Sequence, residues 1–360
     1  MGSRLGIFVR TSNGWEIYYD HWAAQTIGGD IALDGYEATM ERVRGMTSFD
    51  IDHPNKVDGI IFLEGTLVID ETTKTVFWAE ESEALYLPRI INHLIEHTWP
   101  GWRAVWNVED VHSALRAMGI DPASMIEQGN PEHRTMEDSS WFGPWDEFDP
   151  SDAMAVTYRD GQTLLWHNEV LLEDVLAFGP DELYRFALKV RHGIDNGEPW
   201  AWEDQHPDDL PENGIHIDFI QEQIRWWGFQ DGLLGIDTFK GNWPDWSYET
   251  MGDNYEWFER LTGRKLRQWP TDVEQCRHYL LNFIGKGLED NPALRIKEAL
   301  AQWGHEIDLS NQTLNFNPAQ RRACATEVLR MLDELEHQEP LPPARYIDRH
   351  GNIVPPPALK

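Results

Sequence analysis

The sequence predicts an α+β fold: two tandem copies of a hairpin-helix-hairpin-helix-strand-helix unit, then a helical C-terminal segment and a Pro-rich tail. Three observations carry this. Trp99-Pro100-Gly101-Trp102 returns 144 positions later as Trp243-Pro244-Asp245-Trp246, and at the same offset Arg116 and Gly119 meet Arg260 and Gly263. Val68-Ile69-Asp70, with Trp78 eight residues on, matches His216-Ile217-Asp218 with Trp226 at an offset of 148. Asp30-Ile31 with Gly35 matches Asp174-Val175 with Gly179 at 144, and the hairpin tip Gly14 matches Gly161 at 147. Self-similarity at a nearly fixed offset, with small slips between elements, is what duplication of one supersecondary unit leaves in a sequence.

The elements follow in order. Gly6 to Arg10 and Trp15 to Tyr19 alternate apolar and polar residues around Asn13-Gly14, a hairpin signal because both turn residues tolerate positive φ. A helical stretch from about Asp30 breaks at Gly35 and resumes from Tyr36 to Arg44. Ile60 to Phe62 and Leu67 to Ile69 suggest strands, and Thr72-Thr73-Lys74 turns the chain into a further strand over Thr75 to Ala79. Residues 84 to 97 carry apolar side chains at helical spacing. Pro100 forces an extended entry into a strand from Trp102 to Trp106, and Val108 to Met118 forms a helix closed by Gly119.

The first repeat thus spans 1–120, an acidic linker with Trp and Pro spans 121–152, and the second repeat spans 153–268 with the same order of elements. Residues 269–338 change to helices over 271–287, 293–304 and 318–337, with Pro292 and Pro318 at starts, where the missing amide hydrogen costs least. The Pro-rich tail, 339–360, is predicted to be extended, with a turn at His350-Gly351.

Acidic residues outnumber basic ones by 62 to 30, a formal charge of -32 over 360 residues. Such a field repels phosphate backbones and anionic membranes, so direct nucleic-acid and membrane partners are not expected, whereas a basic protein partner is steered in. The acid is concentrated between Ile194 and Asn213, where Asp195, Glu198, Glu203, Asp204, Asp208, Asp209 and Glu212 occur without a Lys or Arg. Core packing does not require such a loop, so Asp195, Glu198, Glu203, Asp204, Asp208 and Asp209 are candidate binding residues, joined by the linker aromatics Trp141 and Trp145. Cys276 and Cys324 are too few for a disulfide framework or a zinc quartet, and the N-terminus lacks the apolar core of a signal peptide; a cytoplasmic location is the expectation.

His93-Leu94-Ile95-Glu96-His97 has the spacing of an inverted zincin motif, with His93 and His97 one helical turn apart as metal ligands and Glu96 as catalytic base. Against this, the matching positions of the second copy are Asp237, Lys240 and Gly241, and no third ligand is evident. The bland alternative is a helix end where partly positive imidazoles are favoured. Asp70 and Asp218 could form an acid-base pair, but Asp at a strand end ordinarily bonds its own turn. Glu109 and Asp253 fall at helix starts, where acids cap amides, with Arg116 and Arg260 seven residues on. The Trp-Pro corners suit core packing better than ligand stacking, and of Trp226-Trp227 one must face away from the core that holds the other. No nucleophile elbow or phosphate-cradling loop occurs.

The expected function is a cytoplasmic, non-enzymatic acidic protein that binds a basic partner, as an immunity protein or antitoxin inhibits a toxin, with no cofactor. Two other readings stand beside it: a metal-dependent hydrolase using His93, Glu96 and His97, and a structural protein that self-assembles as a homo-oligomer.

Overall fold

The computed structural model describes residues 4–21, 23–49, 63–80, 87–107, 116–117, 119, 121, 152–168, 176–197, 211, 213–229, 240–267, 269–289, 297, 299–305, 318–348 and 351–355. The fold is mixed α and β, with helices and two mixed sheets. The chain divides into two compact units, Met1–Ile126 with Thr271–Lys360, and Glu127–Pro270.

In the first unit β1 (Leu5–Thr11) and β2 (Gly14–Asp20) form the first hairpin, and α1 (Ile27–Arg44) follows a short 3-10 turn at Ala24–Thr26. Next come β3 (Thr47–Phe49), β4 (Gly65–Asp70), β5 (Thr75–Ala79), α2 (Pro88–Thr98) and β6 (Arg103–Asn107). The second unit contains β7 (Asp152–Thr157), β8 (Thr163–Asn168), α3 (Pro180–Asp195), β9 (Asn213–Asp218), β10 (Gln223–Gly228), β11 (Ser247–Thr250) and α4 (Tyr255–Thr262). The chain then returns to the first unit as α5 (Asp272–Glu289), α6 (Pro318–Glu336), β12 (Tyr346–Ile347) and β13 (Ile353–Val354).

The first sheet runs β13-β12-β6-β5-β4-β1-β2-β3 and the second β11-β10-β9-β7-β8. Within the first, β1 is antiparallel to β2 and parallel to β4, β4 is antiparallel to β5, and β5 is parallel to β6. The second follows the same scheme: β7 antiparallel to β8 and parallel to β9, β9 antiparallel to β10, and β10 parallel to β11. Each sheet therefore contains two hairpins joined in parallel at their inner strands, with a fifth strand entering after the Trp-Pro corner.

Strand alternation puts a core on each side of these sheets. Trp78 faces the helices, its indole donating to Asn92 Oδ1 of α2 at 2.8 Å, while its neighbour Phe77 joins Phe8, Val68, Val105 and Ile347 in a separate apolar cluster. In the second unit Met154, Val156, Ile215, Ile217, Ile224 and Trp226 pack with Leu183, Phe186 and Val190 of α3. Trp226 and Trp227 do face opposite sides, Trp227 packing against Phe258 of α4 at 6.0 Å between ring centroids.

The Trp-Pro corners are core. Trp99 and Trp243 are fully buried, and their indoles donate to the carbonyls of Ile31 at 2.9 Å and Leu176 at 2.7 Å. The second Trp of each corner packs edge-on against the first, at 5.2 Å for Trp99–Trp102 and 4.7 Å for Trp243–Trp246. Opposite each corner a glycine breaks the helix line. Gly35 has φ 73 and ψ 175 inside α1, and Gly179 has φ 73 and ψ 169 before α3, a region open essentially to glycine alone. A Cβ would lie 3.2 Å from the Thr98 carbonyl oxygen at Gly35 and 3.0 Å from that of Asn242 at Gly179. Gly35→Ala and Gly179→Ala are each expected to destabilise their unit by about 2 kcal/mol, read as a lower denaturant midpoint at unchanged slope.

The C-terminal segment belongs to the first compact unit. α6 packs against α1, α2 and α5, and the tail adds a strand, β12, parallel to β6. Three side chains along α2 hold its approach: Arg89 donates to the Leu341 carbonyl, Asn92 to the Arg345 carbonyl, and Glu96 accepts from Arg345. Between the antiparallel β12 and β13, Gly351 has φ 80 and its amide donates to the Asp348 carbonyl at 2.9 Å; His350, the other residue of the predicted turn, lies outside the described residues.

Candidate functional site

The polar groups of the His93–His97 motif have separate employments. Glu96 Oε1 accepts from the Ala104 amide at 3.1 Å and from Arg345 Nη1 at 2.7 Å, which ties the helix to β6 and to the tail. His97 Nε2 lies 2.7 Å from Glu327 Oε1 on α6, and Glu327 is also bound by Arg330, so that carboxyl is held down to about 2 by Arg330 first and His97 second. His93 is exposed on the same helix. Among the described residues no group of three or more His, Cys, Asp or Glu side chains is placed to hold a metal ion.

The paired aspartates serve their turns. Asp70 Oδ1 accepts from the amides of Thr72 at 2.9 Å and Thr73 at 3.3 Å, and Asp218 Oδ1 from those of Ile220 at 2.8 Å and Gln221 at 3.0 Å. For Asp70 burial raises the carboxyl pKa, but the bonds from Thr72 and Thr73 together outweigh it and leave it below its ordinary value. At the start of α4 the side-chain cap is Asn254, whose Oδ1 accepts from the Trp257 amide at 3.2 Å; Asp253, the residue expected from sequence, is buried one position earlier. Arg260 is exposed on α4 and Arg116 half-buried. Of the candidate binding residues, Asp195 is exposed at the end of α3. Glu198, Glu203, Asp204, Asp208, Asp209, Trp141 and Trp145 lie outside the described residues, as does Glu109.

The second unit holds a polar constellation that sequence reasoning missed, under α4. On the sheet face away from α3, β9 presents Gly214, His216 and Asp218, and β10 presents Arg225 and Trp227. His216 is fully buried. Arg225 Nη2 lies 3.1 Å from its Nδ1, and because a guanidinium only donates, Nδ1 must be the acceptor. The imidazole proton is then on Nε2, which donates to Thr157 Oγ1 at 2.8 Å; that hydroxyl in turn lies 2.8 Å from Thr163 Oγ1. Burial first, and the Arg225 charge second, push the His216 pKa down to about 4, so the ring is neutral at physiological pH.

Arg225 is stacked on Trp257 of α4, its guanidinium carbon 4.4 Å from the ring centroid, so a π face stands beside the cation. Burial lowers the Arg225 pKa, and the charges of Glu249 and Asp218 act in the opposite direction. Arg225 Nε and Trp227 Nε1 are both buried donors with no hydrogen-bond partner among the described residues. Trp227 is itself fully buried, and its indole lies directly over Gly214, where an added Cβ would be 2.2 Å from Nε1.

The first sheet closes the same strand pairing without these groups. His216 and Arg225 face each other across β9 and β10, as Val68 and Phe77 do across β4 and β5. Val68 and Phe77 belong to an apolar cluster. The architecture therefore does not require a half-buried cation and a buried imidazole at this place, which marks the α4 face as a candidate site for chemistry or binding. No family model, curated protein or solved structure matches the chain, so this assignment rests on the geometry alone.

Proposed function

We propose that this chain is a non-enzymatic, cytoplasmic protein that holds a basic protein partner on an acidic surface, in the manner of an immunity protein or antitoxin. The observation that carries this reading is the formal charge of -32, too large for the modest net charge that solubility calls for. The acid is concentrated from Asp195, the last residue of α3, to Asn213, a stretch whose sequence carries no competing Lys or Arg. Cys276 and Cys324 are free thiols, which suits a reducing compartment. No described helix is long and apolar enough to cross a membrane. The employment of Glu96 and His97 in ties to the tail and α6 weighs against the hydrolase reading.

The scaffold is read as a duplicated unit. In favour are the common strand order and sense of the two sheets, the two buried corner indoles bound to helix carbonyls, and the two glycines at φ 73. A duplicated scaffold offers two similar frames of which one can diverge, and the second carries the dense acidic loop.

The test is capture of partners from the native cell at low and high salt. The captured proteins should be basic, and retention should fall at least about tenfold between ~0.05 and ~0.5 M salt, as exposed charge pairs are screened. Asp195→Lys with Asp208→Lys and Asp209→Lys should weaken capture similarly at low salt. Partners that are neutral or acidic, or retention indifferent to salt, would overturn the reading. Light scattering of the purified chain separates it from self-assembly, which would show as concentration-dependent mass without a partner.

A further inference from the structure

We infer that Asn13 is a self-modification site, where the exposed tip of the β1–β2 hairpin converts a carboxamide into a carboxylate through a succinimide. The chain carries Asn-Gly at Asn13-Gly14, Asn196-Gly197 and Asn213-Gly214, all within the described residues. The reaction is intrinsic to this dipeptide, because glycine has no side chain to shield its amide nitrogen or to restrain its backbone. The Gly nitrogen attacks Cγ of the preceding Asn, an N–C bond forms, and the side-chain nitrogen leaves as ammonia with the amide proton. Water then opens the ring at either carbonyl and gives aspartate or isoaspartate. Water is the sole co-reactant, so the fold decides whether the nitrogen can reach Cγ.

The surroundings separate the sites. Asn213 lies in β9, with Gly214 paired to Ala153 of β7 on one side and to Trp227 of β10 on the other. A Cβ on Gly214 would be 2.2 Å from Trp227 Nε1, so the backbone there has no room to turn. Ring closure needs the strand to leave the middle of its sheet, an opening close to global unfolding in cost. Asn196 is exposed but closes the end of α3. Its ψ of 3 eclipses the Gly197 nitrogen with its own backbone nitrogen and so turns the attacking atom away from Cγ. The leaving group is also held, Nδ2 donating to the His192 carbonyl at 2.8 Å, and the Gly197 amide donates to that of Ile194 at 3.0 Å. Asn13 is exposed in the loop between the paired Thr11 and Gly14, and its carboxamide makes no hydrogen bond among the described residues. Thr11 Oγ1 ties the tip through the Asn13 amide and the Gly14 carbonyl, both at 3.1 Å, and neither bond takes the Gly14 nitrogen or the Asn13 side chain. Gly14 has φ 130 and nothing within 4 Å of an added Cβ, so its backbone can swing without collision. What must open is the last pair of the ladder, Thr11–Gly14, and end pairs fray at the lowest cost in a sheet. The aspartate product puts at this tip the residue that the β7–β8 tip already carries, Asp160 before Gly161, and adds a carboxylate to a chain at -32.

No partner enters the reaction, so it stands or falls apart from the basic-partner reading. The experiment holds the full chain in mildly alkaline buffer, once folded and once in strong urea, and follows Asn13, Asn196 and Asn213 over time by peptide mapping with mass spectrometry. In the folded chain Asn13 is expected to convert to aspartate and isoaspartate at least about tenfold faster than Asn196 or Asn213, the rate ratio for ~1.4 kcal/mol of additional opening cost at the slower sites. In urea the rates should come within about threefold of one another, since the fold no longer separates one Asn-Gly from the next. Isoelectric focusing gives a second readout. The folded natural chain should gain an isoform one charge more acidic, whereas Asn13→Asp should start at that position and gain none over the same interval. Asn13 converting no faster than either other site in the folded chain overturns the inference. So does a lead of about tenfold that persists in urea, which would place the cause in the flanking residues and not in the fold.

Discussion

His216→Ala is expected to destabilise the second unit by about 3 kcal/mol, while His216→Val/Arg225→Phe, a larger change in chemistry, is expected to cost less than about 1 kcal/mol. The difference lies in what each leaves behind. Truncation of His216 takes the acceptor from Nη2 of a half-buried cation and leaves the Thr157 hydroxyl with Thr163 alone. The lost acceptor costs ~1–3 kcal/mol, and the vacated ring volume adds a cavity. Arg225→Ala orphans the other side of the pair, leaving Nδ1 of a fully buried imidazole without its donor and removing the stack on Trp257. The double variant installs the Val and Phe found at the facing positions Val68 and Phe77, where a sheet of the same pairing packs them in its core. A double-mutant cycle of His216→Val, Arg225→Phe and the double variant, read from denaturant midpoints, should therefore give a coupling of at least about 2 kcal/mol. Single variants that add to the double without coupling would show that His216 and Arg225 do not act as one group.

Much of the architecture was legible because its signals are local. Asn13-Gly14 and Asp160-Gly161 mark hairpins, Gly263 ends α4 in the left-handed conformation, and Pro100 and Pro244 set the corner entries. Gly35 and Gly179 were visible as breaks because no other residue suits their backbone. The tail strand was not legible: two residues, Tyr346–Ile347, have no periodicity to detect, and they form a strand only because β6 offers its edge and α2 its side chains. The same limit applies to His93-Leu94-Ile95-Glu96-His97. Its spacing is local, but what Glu96 and His97 do is set by Arg345 and Glu327, 249 and 230 positions away.

The α4 face was hidden for a different reason. His216 and Arg225 each sit between apolar neighbours on a strand, which is how a solvated outer face looks in sequence. Two signals could have exposed it. Trp257-Phe258 supplies aromatics that need a surface to cover, and the offset of 148 sets His216 and Arg225 against Val68 and Phe77, a polar pair where the first sheet keeps an apolar one. Buried polarity present in one sheet and absent from the same pairing in the other is a sharper pointer than the motif that drew attention to α2.

The same histidine should make the second unit sensitive to mild acid. In the folded chain His216 titrates near 4, against 6.5 for an ordinary histidine. Between those values the unfolded chain takes up a proton that the folded chain refuses, so stability rises with pH across the window and is lost as pH falls from 6.5 toward 4. A shift of this size corresponds to about 3 kcal/mol. A second effect has the opposite sign: protonating surface carboxylates relieves the self-repulsion of a chain with 62 acidic residues, which stabilises it as pH approaches the sequence pI of 4.6. The net profile of the natural chain thus mixes two slopes, and the comparison that isolates His216 is with His216→Val/Arg225→Phe. Subtracting the variant's unfolding free energy from that of the natural chain cancels most of the carboxylate contribution, since the substitutions remove only one of many charges. What remains should be flat above pH 6.5 and fall by about 3 kcal/mol on reaching pH 4. A difference curve that stays level through that interval would mean that His216 accepts a proton as readily folded as unfolded, and that Arg225 and Thr157 do not hold it neutral.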